Sequence, residues 1–574
     1  MEVAEQSFMK ALFSGVIAED MVFPFPQISP LERDRVHELM GKIRNMAQAE
    51  LDASRIDREG RIDDLTLERA RALGLFGLAI PSEYDGAGLS SAAYARVLQE
   101  VASFDASLAL VLHTHQALVA RALMGFGSEQ QKAFYLPRLA RGELIAAFAL
   151  TEHAAGTDAG SIRTVAELDE GGESFLLNGE KPWVTSASFA GLFIVFARTN
   201  RYAEGNKPHL VALIVERGPG VEVGAPHDLL GVRGAGVSPV VFRDVAVPAS
   251  RALGEVGKGF KVAMAALNDA RIALSASSVG QCRELVNMTV KRLIKRRSFG
   301  RVVGEFAILK DKVAKMMSDS YAIESMVYLT TGLVDRGIED NSLESAICRV
   351  ACSEALWRVA NEAMQAAAGI GYTKTLPIER ILRDARASFV VDGTNETLRC
   401  FIALAGMRGP GVRMSEVQRA MYEPIKGFGL LRDFAVRKVR EALRRERMTR
   451  AHSLLDREAV IFEEAVDELA RAVDRELREH GTEIAEMQQI QLRIANVAID
   501  LYALLACISR TTSIIEERGE AGARRHIDLT IMFAAAARAR IKSHLERLEH
   551  NDDELRKLIA ARTYTDGGYP FDVV

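Results

Sequence analysis

The chain has 574 residues, of which 48% are hydrophobic and 26% are charged. A chain of this size and composition buries several cores, so we expect three or four soluble globular domains. The 73 Lys and Arg residues nearly balance the 77 Asp and Glu residues, for a net charge of −4, which excludes a global electrostatic attraction to nucleic acid or to a membrane.

The sequence shows neither a transmembrane run of about 18 apolar residues nor a recognisable signal or transit peptide. It therefore predicts a cytoplasmic protein, or a mitochondrial matrix protein if a leader has been removed. The odd number of cysteines predicts reduced thiols in the core, and the pair at i,i+4 lacks the partners of a zinc site, so no metal is expected. The cysteines are Cys282, Cys348, Cys352, Cys400 and Cys507.

Residues 1–150 are predicted to form an N-terminal helical domain. Apolar residues recur there every three or four positions, as in Leu67–Leu73 and Leu108–Leu123. Residues 151–258 are predicted to form a central antiparallel β domain, a β-barrel, because short apolar runs such as Leu192–Ala197 are bounded by Gly, Pro and Asn.

Helical periodicity returns at Gly259, and residues 259–408 are predicted to form a four-helix bundle. The predicted helices are 260–295, 305–335, 342–368 and 375–405. Gly409-Pro410-Gly411 predicts a break in the chain, followed over residues 409–574 by an extra helical domain with a buried helix at Ile490–Ile508. The predicted fold class is mainly α with a central β domain.

A basic segment lies between the bundle and the tail. Residues 426–450 contain nine basic and three acidic residues, a local net charge of +6. With its apolar residues, the segment suits a peripheral contact with an anionic membrane surface. A solvated connector of the same composition is an equal alternative.

Two stretches near the start of the β domain suit a flat cofactor. Phe148–Glu152 leads into Gly156-Thr157-Asp158, which offers hydroxyls and backbone N–H groups. Gly179–Ser186 contains one of only two tryptophans, Trp183, whose ring could shield such a cofactor. The spacings of a P-loop and of a dinucleotide-binding motif are both absent.

Together these stretches resemble the acyl-CoA dehydrogenase family, and later motifs follow in the family's order and spacing. The tail and Val22–Pro26 look like the larger homodimeric branch, which includes very-long-chain enzymes and a paralogue that assists assembly of respiratory complex I. The later motifs are Arg271, Arg296–Gly300, Gln365–Tyr372, Arg380–Arg386 and Asp392–Glu396.

The resemblance implies a noncovalent FAD between the β domain and the bundle. The residues implied at the isoalloxazine and ribityl side are Phe148, Leu150, Thr151, Gly156, Thr157, Trp183 and Thr185. Those implied at the pyrophosphate and adenosine, across the interface of a homodimer, are Arg296, Ser298, Phe299, Gln365 and Gly369. Thr394 and Glu396 would complete this site, and Thr157, Asn268 and Arg271 would line the acyl-CoA entrance.

The implied reaction is the α,β-dehydrogenation of a long-chain or atypical acyl-CoA in fatty acid β-oxidation. A carboxylate removes the α-proton, the β-hydride passes to the flavin, and an electron-transferring flavoprotein then takes the electrons.

The sequence departs from the family at the catalytic base. Asp392 stands where most members have Glu, and Ala270 occupies the position that carries the base in a minority of members. Asp is one methylene shorter, and a shift of about 1 Å can slow a reaction by on the order of 10²-fold. Three hypotheses follow: Asp392 acts on a branched, cyclic or unsaturated acyl group, the enzyme is slow, or the fold serves as a scaffold or assembly factor.

A second departure concerns the adenosine side of the implied site. Ala368 replaces a glycine of the family there. This methyl group would weaken FAD binding if the backbone must approach the cofactor closely.

Overall fold

The computed structural model describes residues 7–199, 209–422 and 447–573. The protein is mainly helical, with one β domain between two groups of helices, as predicted. The predicted membrane-binding segment falls mostly outside the described residues. Of this segment only residues 447–450 are described, and Arg450 there forms an ion pair with Asp20 and donates to the backbone oxygen of Phe23 at 3.2 Å.

Several helices before the β domain begin at a serine whose hydroxyl accepts a backbone N–H, as at Ser29, Ser90 and Ser128. These helices are α1 (Phe8–Leu12), α2 (Glu19–Val22), α3 (Pro30–Ala49), α4 (Ala53–Glu59), α5 (Asp64–Ala72), α6 (Ser91–Phe104), α7 (Ala106–His113), a π-helical segment (Thr114–Ala120), α8 (Arg121–Phe126) and α9 (Glu129–Ala140).

The β domain has a single larger sheet of seven strands within the described residues. Most neighbours are antiparallel, but β1 and β4 pair in parallel, so the sheet is mixed rather than purely antiparallel. The strand order is β1-β4-β2-β3-β7-β6, with β5 also paired to β4. The strands are β1 (Ala146–Ala149), β2 (Val165–Leu168), β3 (Ser174–Val184), β4 (Leu192–Thr199), β5 (His209–Glu216), β6 (Val221–Val223) and β7 (Ser238–Pro248).

The bundle differs from the prediction at its last helix. The predicted helix 375–405 is two helices separated by a loop that contains Asp392, and the second of them runs through Gly409-Pro410-Gly411, where a break was expected. The elements are α10 (Gly259–Leu293), a short hairpin of β8 (Arg297–Ser298) and β9 (Arg301–Val302), α11 (Ala307–Asp335), α12 (Ser342–Ala367), α13 (Ile378–Ala387) and α14 (Asn395–Tyr422).

The tail is helical, as predicted, with α15 (Asp456–His480), α16 (Gln488–Glu549) and α17 (Asp553–Asp566). Helix α16 is interrupted at Gly519, whose φ is +69°. Among the described helices, α16 alone is long and apolar enough to cross a membrane, but 83% of its most apolar window is buried inside the protein. It is therefore accounted for as a core helix, and it includes the predicted buried helix Ile490–Ile508.

Helix α10 lies at the centre of the molecule and is buried on most of its faces. Its small residues let backbones approach closely. A Cβ atom at Gly280 would lie 2.0 Å from the backbone oxygen of Gln99 in α6, and one at Gly259 would lie 2.7 Å from the carbonyl carbon of Val211 in β5. The helix thus fixes the N-terminal helices and the β domain against the bundle.

The first two helices, α1 and α2, belong to a different core from helices α3–α9. Phe8 and Phe13 are buried in a core shared by α11, α12, α14 and the tail helices. Glu344 of α12 accepts hydrogen bonds from the Ser7 hydroxyl at 2.7 Å and from the Met9 N–H at 2.9 Å. Apolar side chains of α1 therefore share one core with side chains of the bundle and of the tail.

We expect Gly406→Ala in α14 to destabilise the protein, because the added methyl would lie 2.4 Å from the Phe13 ring. Overpacking of this kind lowers the free energy of unfolding by about 1–3 kcal/mol. Gly41→Ala in α3 is the matched control, because its Cβ meets no atom within 4 Å and the change should stabilise the helix by about 0.5–1 kcal/mol. Thermal unfolding of both variants measures the two changes in stability. Equal effects would contradict the close contact between Gly406 and the Phe13 ring.

Candidate active site

Asp392 lies in the loop between α13 and α14, beneath the helices of the bundle. Its backbone has φ +59° and that of Gly393 has φ +103°, so both residues occupy the left-handed region. Aspartate tolerates this region better than most residues with a side chain. The loop turns the Asp392 carboxylate inward, and only 11% of the side chain is exposed.

Three side chains from three helices surround this carboxylate. His113, at the end of α7, is fully buried and its Nε2 lies 2.9 Å from Asp392 Oδ2. Arg349 of α12 donates from Nη2 to the backbone oxygen of Val391 at 2.6 Å. Arg271 of α10 donates from Nη1 to Asn268 Oδ1 at 3.0 Å.

The charges of these groups compensate one another. Burial alone would raise the pKa of Asp392, but the hydrogen bond and charge of His113, together with Arg349 and Arg271, hold it below its usual value. Burial lowers the pKa of Arg349 to about 10 and also lowers that of Arg271. At neutral pH the site therefore holds an ionised carboxylate beside two guanidinium groups.

Both arginines keep buried N–H groups without a hydrogen-bond partner in the described residues, Nε of Arg271 and both Nε and Nη1 of Arg349. Buried donors are normally paired, so such groups indicate either strain or a ligand that completes them. These donors suit a ligand with an oxygen acceptor, such as a carbonyl group or a water molecule.

A buried ion pair fixes the loop after β1. Lys181 of β3 lies 2.7 Å from Glu152 Oε1 and donates to the backbone oxygen of Leu150 at 2.8 Å. Glu152 also accepts the backbone N–H groups of Arg163 and Thr164. Burial lowers the pKa of Lys181 to about 8, against the opposing effect of Glu152. This network holds Leu150 and Thr151 at the edge of the β domain.

A chain of hydroxyls joins the β domain to the bundle. Thr157 Oγ1 lies 3.3 Å from Thr397 Oγ1, which lies 3.0 Å from Thr394 Oγ1. Thr394 immediately precedes α14 and is two residues from Asp392. The structure thus brings together two residues that the sequence assigned to one site, Thr157 and Thr394.

The remaining predicted residues of the β domain lie on and beside the same edge. Trp183 is 49% exposed, and its ring contacts that of His153 at 5.2 Å. Thr151 and Thr185 are half-buried, and Gly156 is exposed with no atom within 4 Å of a Cβ position. Phe148 packs on Phe196 beneath this surface. The edge therefore offers an open aromatic ring with hydroxyls beside it.

The residues predicted for the adenosine side lie elsewhere, on the outer surface of the bundle. Arg296 and Phe299 belong to the β8–β9 hairpin region, and Phe299 is 94% exposed. Ser298 is half-buried, whereas Gln365 and Gly369 are exposed. Within the described residues no hydrogen bond or ion pair joins these residues to the edge of the β domain around Thr157. Glu396 is also exposed, but it lies between Thr394 and Thr397, beside that edge. Ala368 has φ +57° and ψ −147°, a conformation that suits glycine.

Sequence reasoning missed His113, Arg349 and Thr397. His113 follows an apolar run in α7, where a lone histidine is hard to distinguish from a packed core residue. Arg349 lies in an otherwise apolar part of α12 and is 1% exposed. An arginine at an apolar helical position is a signal that could have revealed it, since buried charges require partners.

Comparison with known proteins shows the family to which this chain belongs. Models of the acyl-CoA dehydrogenase N-terminal, middle and C-terminal domains match residues 34–143, 147–245 and 257–407. A model described as the ACAD9/ACADV C-terminal domain matches residues 453–568. The chain belongs to the acyl-CoA dehydrogenase family.

Several acyl-CoA dehydrogenases resemble it over most of their length. The very long-chain specific acyl-CoA dehydrogenase of Bos taurus mitochondria is 34% identical over 563 residues, which cover 96% of this chain and 85% of that protein. A probable acyl-CoA dehydrogenase of Bacillus subtilis is 29% identical, over 86% of this chain and 84% of that one.

Two solved structures match different shares of this acyl-CoA dehydrogenase. An acyl-CoA dehydrogenase from Bacillus anthracis complexed with FAD is 26% identical, has a TM-score of 0.79, and covers 98% of this chain and 96% of its own. Butyryl-CoA dehydrogenase from Megasphaera elsdenii is 31% identical with a TM-score of 0.62, and covers 66% of this chain and 99% of its own. About a third of this chain, including the tail, thus lies beyond the smaller enzyme.

We expect Lys181→Met to lower the free energy of unfolding by about 3–5 kcal/mol, because Glu152 would lose its buried counterion. The control is Lys258→Met, whose ion pair with Glu255 is exposed and is worth about 1 kcal/mol or less. Urea unfolding of both variants at pH 7 checks this. A loss no larger than that of the control would contradict the role of the pair.

Proposed function

We propose that this acyl-CoA dehydrogenase performs FAD-dependent α,β-dehydrogenation of an acyl-CoA with Asp392 as the base. The observation that supports the proposal is the Asp392 carboxylate, which is 11% exposed and lies 2.9 Å from His113 Nε2. This carboxylate stays ionised at neutral pH because His113, Arg349 and Arg271 hold its pKa below the usual value, so it is free to accept a proton. Arg271 and Arg349 supply N–H donors that have no partner within the described residues.

The residues at the edge of the β domain around Thr157 fit a flat cofactor such as FAD. The exposed ring of Trp183 offers an aromatic face. Thr151 and Thr185 offer hydroxyl groups at the same edge, and Gly156 offers a backbone without a side chain. Thr157 and Thr394 would hold the cofactor where the β domain meets the bundle. When bound, FAD supplies the acceptor for the two electrons and the β-hydrogen.

The protein's own residues perform the rest of the reaction. The Asp392 carboxylate takes the α-proton, and His113, Arg349 and Arg271 keep that carboxylate ionised. Donors aimed at the thioester oxygen would stabilise the negative charge that develops there as the proton leaves. Only 11% of the Asp392 side chain is exposed, and burial strengthens each of these electrostatic interactions.

The substrate we propose is a long-chain or atypical acyl group: branched, cyclic or already unsaturated. Asp392 reaches one methylene less far than a glutamate, so the α-carbon must sit closer to the α13–α14 loop than it does in members with Glu. The electron acceptor we propose is an electron-transferring flavoprotein, as the family resemblance implies. The alternative role as a scaffold predicts a protein in which no acyl-CoA reduces the flavin.

We expect Asp392→Asn to slow reduction of the bound flavin by an acyl-CoA by on the order of 10²–10⁴-fold, the contribution typical of a general base. The control is Asp269→Asn in α10, whose carboxylate faces Arg121 instead. Anaerobic bleaching with long-chain, branched and cyclic acyl-CoAs, followed by reoxidation with electron-transferring flavoprotein, measures both. Reduction by none of them in the unmutated protein would favour the scaffold, and full activity of Asp392→Asn would exclude this base.

We also propose a homodimer in which a second copy completes the adenosine side. Phe299 and Tyr372 are 94% and 85% exposed, and each follows within a few residues of positions predicted for the adenosine side, Arg296 and Gly369. Large aromatic side chains with this much solvent exposure are typical of a protein–protein interface. A matrix or cytoplasmic location, with peripheral attachment to the inner membrane through residues 426–450, stays a prediction.

We expect Phe299→Glu to weaken the dimer and reduce the FAD content, because a charge would enter an apolar interface next to the cofactor. The control is Phe571→Glu, whose ring is also exposed but lies in the tail. Light scattering during gel filtration gives the mass, and the ratio of flavin to protein absorbance gives the FAD content. A dimer with full FAD content in Phe299→Glu would refute this interface.

A further inference from the structure

A histidine contacts the proposed base, and its environment differs from that of a packing residue. His113 is fully buried, and Nε2 bonds Asp392 Oδ2, but Nδ1 has no hydrogen-bond partner in the described residues. His115, two residues later, uses both ring nitrogens, one facing the Leu139 backbone oxygen and the other accepting the Ala146 N–H. His115 thus joins two segments of the fold, whereas the described hydrogen bond of the His113 ring goes to the base.

The backbone around this contact is also unusual. His113 ends α7, and the π-helical segment begins at the next residue, Thr114. Such segments are rare and are frequent at functional sites. On the other side, the Asp392 backbone has φ +59°, a conformation that persists only where the surroundings impose it. Two irregular segments meet at a single hydrogen bond.

We propose that His113 is a positioning residue for proton abstraction, which holds Asp392 Oδ2 and leaves Oδ1 as the oxygen that receives the α-proton. Oδ1 has no hydrogen-bond partner among the described residues, and the Asp392 side chain is 11% exposed. The side chain of Asp392 is one methylene shorter than that of glutamate, and the hydrogen bond with His113 fixes the orientation of its carboxylate. The inference rests on the proposed role of Asp392 as the base.

The abstraction of the α-proton, which His113 serves, needs no reactant besides the acyl-CoA and FAD. The α C–H bond breaks, its proton forms an O–H bond at Oδ1, and the electron pair remains on the acyl group. That pair forms the new carbon–carbon double bond as the β-hydrogen leaves with its two electrons for the FAD. His113 keeps its Nε2 hydrogen bond to Oδ2 throughout, so it neither gains nor loses a proton.

The sign of the expected pH effect follows from the groups that face Asp392. These are His113 from α7, Arg271 from α10 and Arg349 from α12. The contact with His113 favours the ionised carboxylate, whereas burial favours the protonated one. Removal of the imidazole therefore raises the pKa of Asp392, and the carboxylate becomes protonated at a higher pH.

The test uses the FAD-bound protein and the 3-thia analogue of the acyl-CoA that reduces the flavin fastest. The sulfur acidifies the α-carbon but blocks oxidation, so the long-wavelength absorbance of the complex reports deprotonation alone. For the unmutated protein, His113→Leu, His113→Gln and His115→Leu, this absorbance is measured against pH. Thermal unfolding and FAD content are measured on the same samples.

We expect the acid midpoint of His113→Leu to lie about 1–3 pH units above that of the unmutated protein, the usual size of such a shift. His113→Gln keeps an N–H donor, so its midpoint should lie between the two. His115→Leu should lose thermal stability, because the Leu139 oxygen and the Ala146 N–H lose their partner, but it should keep the unmutated midpoint.

Two results would overturn the inference: an unshifted midpoint in His113→Leu, or an equal shift in His115→Leu. Asp392→Asn separates these failures from failure of the proposed function. If Asp392→Asn abolishes the absorbance while the midpoint of His113→Leu stays unshifted, the base stands and the positioning role is wrong. If the absorbance of Asp392→Asn persists unchanged, the base itself is wrong.

Discussion

The close packing of helix α10 is the constraint on which the rest of the structure depends. Its small residues bring the backbones of α6 and β5 within contact of its own at Gly280 and Gly259. Because this one helix contacts the N-terminal helices, the β domain and the bundle, close packing fixes their positions relative to one another. Arg271 is carried on this helix, which places its guanidinium group where it acts on the Asp392 carboxylate.

The buried charged groups of the site compensate one another. A carboxylate, two guanidinium groups and an imidazole are buried together, and each would be unfavourable there alone. Within the described residues the arrangement leaves unpaired donors on both arginines, Nε of Arg271 and both Nε and Nη1 of Arg349. Buried donors are normally paired, so the incomplete pairing indicates a site that a ligand completes.

Much of this fold was predictable from periodicity and motifs, but the contacts within it were less so. The helices that flank the β domain follow the spacing of their apolar residues, and the Asp392–Glu396 motif marks the loop before α14. The His113–Asp392 contact joins residues 279 positions apart, and only tertiary packing brings such residues together. The burial of Phe8 and Phe13 against the tail was hidden for the same reason, because a short apolar segment has several partners of equal hydrophobicity.

That burial has a consequence for how the protein folds. The core around Phe8, Met9 and Phe13 also contains Phe462, Leu501 and Tyr502, so its members are far apart in the sequence. Contacts between such residues form only after the long loops between them have closed. This core is therefore completed late in folding, and until then the apolar side chains of α1 stay in contact with water.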